Sequence, residues 1–255
     1  MADALTGSAS LTHPDYWWYR ARTALLETAL ASYMGDPARS LDVGSADGPS
    51  VAWMTGDQRR FTLDVDPRGL AAGEGVCGSA AALPFRDASF DLVGAFDVVE
   101  HCESEAQAMA ELARVLAPGG RLLLSVPAYQ WAWSDHDVRA GHFRRYTRPR
   151  IVRALRGAGL EVDRATYAFT SVFPFFVAER AARRVRQLRG SRPPAGIGQV
   201  SPAVDRMLMA LSRVDQRLLR SRDLPFGSSV FVAAHKPAHK PAHGPGSGPG
   251  AASGR

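Results

Sequence analysis

The sequence predicts an α/β fold, a mostly parallel sheet with helices on both faces, and three observations carry that prediction. Arg39 to Val43 reads as a buried strand running into Gly44-Ser45-Ala46-Asp47-Gly48, a small-residue turn that opens a helix. Gly44 and Gly48 can take backbone angles that other residues avoid, and they bring no side chain to block a ligand. A loop of this kind at the carboxyl end of a strand is where open α/β sheets hold nucleotides. A second strand, Phe61 to Asp66, ends in carboxylates about 20 residues further on, where an acid commonly takes a ribose hydroxyl pair. A third stretch, Leu83-Pro84-Phe85 through Phe90-Asp91-Leu92-Val93, leads into a fourth strand.

Singly these are weak signals, but they occur together with Val98-Val99-Glu100-His101 and Leu116-Ala117-Pro118-Gly119-Gly120. In this order, over roughly residues 39 to 170, the chain resembles the class I S-adenosylmethionine-dependent methyltransferases. The resemblance implies a Rossmann-like, seven-stranded, mostly parallel sheet and S-adenosyl-L-methionine as methyl donor. It also implies a cofactor site. Asp42, Gly44, Ala46 and Gly48 belong to its glycine loop, with Ala46 in place of the usual middle glycine. Asp64 takes the ribose hydroxyls. Ser79 stands where many relatives carry an aspartate for the adenine amino group, the backbone of Ala80 meets adenine N1, and Phe96 lines the cofactor. Arg22, with Arg20 as the alternative, pairs with the methionine carboxylate, since a guanidinium donates two parallel hydrogen bonds to such a group.

Composition bounds the remaining classes. A chain of 255 residues with 45% apolar content suits one large domain or one domain with an insertion. No stretch is long and apolar enough to span a bilayer, and no signal peptide is evident. Cys77 and Cys102 read as reduced thiols of a cytoplasmic protein rather than a disulfide framework. The net charge of +6 invites a nucleic-acid reading. Only Lys236 and Lys240 among the basic residues are lysines, which points to high-GC codon usage, and the Asn-Pro-Pro-Tyr or Asp-Pro-Pro-Tyr motif of DNA base methylation is absent. Nucleic acid is therefore not an expected partner. The charge is still uneven: fourteen arginines lie between Arg139 and Arg192 against three acids. Solvated helix faces and a basic surface facing an anionic partner remain the two readings of that bias.

Residues 1–12 read as a disordered leader. The aromatic run Tyr16-Trp17-Trp18-Tyr19 opens a helix to about Met34, either packed on the sheet edge or forming a lid over the site. A short helix is expected over 50–54. Strand three covers Gly75 to Gly78, and strand four covers Asp91 to Ala95. The helix Glu103 to Leu116 has a core face in Met109, Leu112, Val115 and Leu116. Arg121 to Val126 is strand five, Thr147 caps a helix to about Ala158, Leu160 to Phe169 is strand six and Ser229 to Ala234 is the last strand. Between these two, a helical insertion over about 171–227 carries helices Ser171 to Leu188 and Pro202 to Arg220. It roofs the acceptor pocket, forms a dimer contact or lies on a membrane surface, with roofing preferred and peripheral membrane contact least favoured. The methyltransferase domain thus covers 13–234, followed by a disordered tail over 235–255. Oligomeric state is not legible.

The second informative stretch runs from Val126 to Tyr146, at the carboxyl end of strand five. Its histidines, acids, paired arginines and aromatics suit an acceptor pocket. Metal binding by His136, Asp137 and His142 matches no standard spacing, so no metal is expected. If the acceptor is a hydroxyl or a protonated amine, a base must take its proton, and histidine has the near-neutral pKa for that role. His136 is the first candidate and His142 the second, with Asp137 orienting one of them; His101 reads as structural. Trp133, Arg145 and Tyr146 are the expected substrate contacts. The acceptor is a small molecule methylated on oxygen, nitrogen or carbon, such as a sugar, a secondary metabolite or an envelope-glycan intermediate. The alternative is a non-catalytic binding protein of the same fold. A nicotinamide site is disfavoured because two of the three glycines of its Gly-x-Gly-x-x-Gly pattern fall on Ala46 and Pro49.

Overall fold

A computed structural model describes residues 15–44, 48, 51–54, 59–67, 70, 75–188 and 200–238. Helix α1 (Trp17–Leu30) precedes strands β1 (Arg39–Val43), β2 (Arg59–Asp64), β3 (Gly75–Cys77) and β4 (Phe90–Phe96). Helix α2 (Glu105–Val115), strand β5 (Leu116–Pro127) and helices α3 (Asp135–Ala140) and α4 (Arg148–Gly157) follow. Strand β6 (Glu161–Ala168), helices α5 (Phe173–Leu188) and α6 (Pro202–Leu219), and strand β7 (Ser229–His235) complete the order.

The strands form one seven-stranded sheet in the order β3-β2-β1-β4-β5-β7-β6. β1 through β5 pair in parallel, and β7 runs antiparallel to both β5 and β6. Strand order reverses between β1 and β4, and open sheets of this kind bind ligands at the carboxyl ends of the strands around that point. The central strands are near-continuous apolar runs because helices cover both faces. Leu92, Val93 and Ala95 of β4 and Leu122, Leu123 and Leu124 of β5 are all buried. On α1, Ala21, Leu25, Leu26, Ala29 and Leu30 form one buried stripe. The aromatic run at its start joins the packing: Trp18 stacks on Phe169 with ring centroids 6.0 Å apart.

Several boundaries differ from expectation. Strand β5 begins at Leu116, directly after α2, whose N-terminus is capped by the Ser104 side chain accepting from Gln107 N–H. Of the short helix expected over 50–54, Ser50 lies outside the described residues, and Met54 N–H donates to Val51 O at 2.9 Å to close a turn. Helix α3 was not expected. The helical pair between β6 and β7 is present, and α6 lies against α1: Arg20 reaches both oxygens of Asp205 at 2.6 and 2.7 Å. At the other end, β7 continues to His235, and Lys236 Nζ donates to the carbonyls of Ala113 and Leu116, both at 2.8 Å. The first residues of the expected disordered tail are therefore tied to the sheet. The expected leader over 1–12 and the remainder of the tail from residue 239 lie outside the described residues.

Candidate functional site

The first half of the site is built from the carboxyl ends of β1, β2 and β4. Gly44 leaves β1 with φ +77°, a left-handed conformation that favours glycine. Its N–H donates to Leu63 O at 2.7 Å, and a Cβ placed there would sit 2.5 Å from Val98 Cγ2. Gly48 is exposed, and a Cβ there meets nothing within 4 Å among the described residues. Ala46 lies outside the described residues. Asp42 is buried and faces Arg60 across the β1–β2 pair at 2.8 Å. At the end of β2, buried Asp64 accepts the Asp66 N–H on Oδ1 at 2.8 Å. Beyond β3, the exposed Ser79 turns its hydroxyl onto Ala81 N–H at 3.2 Å, and Ala80 is buried. Phe96 closes β4 against Trp53, ring centroids 6.1 Å apart.

Arg22 is 1% exposed and reaches this end of the sheet from α1. Its guanidinium lies 2.8 Å from Asp97 Oδ2, donates to Ser125 Oγ at 3.4 Å and sits over the Trp18 ring. Ser125 Oγ in turn donates to Asp97 Oδ1 at 3.0 Å. Asp97 follows β4 with φ +57°, a left-handed conformation unusual for a residue other than glycine, and such strain clusters at functional sites. Arg20, the alternative to Arg22, is engaged by Asp205.

The second half lies between β5 and α4. Ser134 opens α3 with a reciprocal capping box: its backbone N–H donates to Asp137 Oδ2 at 2.9 Å. Asp137 is fully buried and accepts on Oδ1 from Arg145 Nε at 2.6 Å and from His142 Nδ1 at 3.0 Å. Burial works to raise its pKa, but the bonds from His142 and Arg145, with the Arg145 charge, hold it well below the usual carboxylate range. Arg145 also donates to Ala128 O at 3.2 Å. Tyr146 is fully buried, and burial together with the nearby Glu105 carboxylate pushes its phenol far above the ordinary value. Arg145 and Tyr146, expected as substrate contacts, are thus built into the interior of the 128–146 segment. His136 is exposed, yet it is packed closely enough by its neighbours that desolvation lowers its pKa. Its ring lies 6.4 Å from that of His142. Trp133 lines a small cleft with Trp131, Ser134 and the α5 residues Arg180 and Arg183. Arg180 donates to Ser134 Oγ, and Trp131 packs edge-on against Phe173 and Phe176, so α5 lies over this segment.

The two halves meet at Glu100, to which the sequence assigns no role, and at His101, which reads from the sequence as structural. Glu100, in the 3-10 turn Val99–His101 after β4, is fully buried, and neither carboxylate oxygen has a hydrogen-bond partner among the described residues. Burial, reinforced by Asp97, raises its pKa well above the ordinary value against the opposing charges of Arg22 and Arg145. His101 is open to solvent on one side, yet it is packed closely enough that burial lowers its pKa to about 4. Its ring meets that of His142 edge-on at 4.5 Å. The signal was present: Asp97 and Glu100 stand in Phe96-Asp97-Val98-Val99-Glu100-His101, at the end of an apolar strand.

This donor set fits S-adenosylmethionine: a glycine whose Cβ the fold excludes, a carboxylate at the end of β2, and an arginine–aspartate pair beside β4. Residues 41–124 match a family model described as a methyltransferase domain. The chain is 32% identical over 142 residues to the biotin biosynthesis bifunctional protein BioHC of Cellvibrio japonicus, covering 49% of this chain and 28% of that one. To a malonyl-[acyl-carrier protein] O-methyltransferase of Erwinia pyrifoliae it is 31% identical over 154 residues, covering 55% and 58%. The chain therefore spans less than two thirds of the length of either relative. The N-methyltransferase NodS of Bradyrhizobium japonicum, solved with S-adenosyl-l-homocysteine, superposes with a TM-score of 0.54 at 15% identity, covering 92% of this chain and 95% of that one. At that identity the likeness is one of fold. Residues 41–124 thus resemble a methyltransferase domain, and the chain has the fold of the class I S-adenosylmethionine-dependent methyltransferases.

Proposed function

We propose that this chain transfers the methyl group of S-adenosylmethionine to a small-molecule acceptor carrying a hydroxyl or an amine. The observation that carries the reading is the juxtaposition, at one end of one sheet, of the β1–β2–β4 strand ends with the histidine-bearing 128–146 segment. Phe143 N–H donates to Glu100 O at 2.7 Å and links the two halves directly.

S-adenosylmethionine supplies an electrophilic methyl group and a neutral leaving group, so no acid is needed on the departing side. Asp64 takes the ribose hydroxyls, and Gly44 lets the backbone lie close to the ligand. Arg22, braced by Asp97, serves the methionine end. Holding two reactants in line contributes about 7–11 kcal/mol to such a reaction. At the acceptor, His136 and His142 are the proton-handling groups. Asp137 orients His142, and desolvation lowers the His136 pKa, which favours its proton-accepting neutral form. Trp133 and the overlying α5 exclude water. Much of the arginine charge near the site is engaged within the chain, by Asp137, Asp135 and Glu179, which supports a roofing role for α5 over nucleic-acid binding.

The test is incubation with S-adenosylmethionine and a panel of hydroxyl- and amine-bearing small molecules, with S-adenosylhomocysteine quantified. Acceptor-dependent product that disappears in Asp64→Ala is expected. Failure of the wild type to bind either cofactor form would remove the enzymatic reading.

A further inference from the structure

We propose that Glu100, His101 and His142 form a site for a divalent transition-metal ion of the zinc and cobalt class, held by one carboxylate oxygen and two imidazole nitrogens. One ligand atom from each residue lies within 4.8 Å of the other two. Ligands about 2.1 Å from a shared ion stand about 3.4 Å apart in a tetrahedral arrangement. Binding therefore draws the ligand atoms together by up to about 1.4 Å.

Three further observations support a built site. Glu100 is fully buried with both oxygens unpartnered among the described residues, a costly arrangement for an ionised carboxylate that a bound cation would offset. The two nearby guanidinium groups are engaged elsewhere, Arg22 by Asp97 and Arg145 by Asp137. Asp137 accepts on both oxygens from donor-only groups, Arg145 Nε and Ser134 N–H, so the hydrogen between it and His142 belongs to His142 Nδ1. Nε2 is then the ring atom with a free lone pair, and the carboxylate–histidine pair matches the outer support that orients metal-bound imidazoles. Finally, the segments are stapled together: Phe143 N–H donates to Glu100 O, and Arg144 donates to the carbonyls of Cys102 and Glu103, both at 2.5 Å.

Two imidazoles and one carboxylate suit zinc, cobalt, iron or manganese rather than calcium or magnesium, and three protein ligands leave coordination positions open. The role of the ion rests on the methyl-transfer reading; its binding does not. Beside Phe96 and Asp97 at the end of β4, an open position takes an acceptor hydroxyl and lowers its pKa. With His142 holding the ion, His136 is left as the proton acceptor: the hydroxyl proton passes to it, the oxygen–methyl bond forms as the methyl–sulfur bond breaks, and S-adenosylhomocysteine leaves neutral. The acceptor is therefore an oxygen nucleophile.

The test is titration of Co2+ into chelator-treated, untagged full-length protein, followed by visible d–d absorption and stoichiometry. Glu100→Gln, His101→Asn, His142→Asn, Asp137→Asn and a His239→Ala/His243→Ala double variant are titrated beside it, and S-adenosylhomocysteine affinity is measured on every sample as a check of folding. One equivalent of Co2+ is expected, weakened more than about 100-fold in the ligand variants and about 10–100-fold in Asp137→Asn, and unchanged in the tail variant. Absence of Co2+ binding by the wild type overturns the proposal, as does equal binding by folded His101→Asn and His142→Asn. Wild-type protein that binds S-adenosylhomocysteine but no Co2+ sinks the metal site alone; the reverse result sinks the methyl-transfer reading alone.

Discussion

His142 Nδ1 and Arg145 Nε share one oxygen of the fully buried Asp137, at 3.0 and 2.6 Å. The arrangement fixes the histidine ring and locks the 134–145 segment. Replacing Asp137 with asparagine removes the charge that compensates a guanidinium only 5% exposed. Breaking a buried pair by removing one partner costs about 3–5 kcal/mol. Urea denaturation of Asp137→Asn is expected to show a loss of that order; a loss of a few tenths would mean that the segment is held by something else.

The two glycines of the β1 loop should respond differently to the same change. At Gly44 a methyl group meets Val98 Cγ2 and the backbone is left-handed, whereas at Gly48 it meets nothing among the described residues. Gly44→Ala is expected to destabilise by about 1–3 kcal/mol. Gly48→Ala is expected within about 0.5 kcal/mol of wild type. Thermal denaturation of the pair checks this, and equal melting temperatures would contradict it.

Arg22 and Arg20 lie two residues apart, and each pairs with an aspartate. The Arg20–Asp205 pair is exposed, so Arg20→Ala should cost less than about 1 kcal/mol. Arg22 is buried, with a partner 24% exposed, and Arg22→Ala should cost about 2–4 kcal/mol and weaken cofactor binding. Parallel denaturation and calorimetry decide; identical behaviour of the two variants would remove Arg22 from the site.

Acid dependence tests the turn that follows β3. Arg114 donates to Glu111, Asp87 and the carbonyls of Leu83 and Phe85, and Glu111 also accepts Leu83 N–H. The Arg114 bonds lower the Glu111 pKa from its ordinary 4.5 despite partial burial. A carboxyl whose folded pKa is depressed adds stability above its unfolded pKa, and that stability is lost as pH falls through the folded value. The stability difference between wild type and Glu111→Gln should therefore be full above pH 4.5 and shrink below it. A difference independent of pH would exclude this contribution.

The sheet was legible because its strands are apolar runs ending in glycine or acid: Leu41 and Val43 before Gly44, Leu92 to Ala95 before Asp97. Helix α3 was not, since Asp135–Ala140 is too short for an apolar period, although Ser134 and Asp137 carried its capping signature. Arg145 and Tyr146 looked like ligand contacts because their types are polar and aromatic. Only the tertiary structure puts Asp137 beside one and buries the other. Glu100 escaped notice for the opposite reason. It sits in an apolar stretch that matched a family pattern, and its burial without a partner arises from the packing of the 142–145 segment over the β4 end.

The most direct test of the central claim is calorimetric titration of the purified protein with S-adenosylhomocysteine, beside Asp64→Asn and Asp64→Ala. Asparagine keeps an oxygen for the Asp66 N–H and loses only the charge, so it separates the ligand contact from the local turn. Saturable one-to-one binding is predicted for the wild type, weaker by about 2–3 kcal/mol in both variants, as expected for lost hydrogen bonds to a charged group. Absence of binding by the wild type, or undiminished binding by Asp64→Ala, would contradict the account.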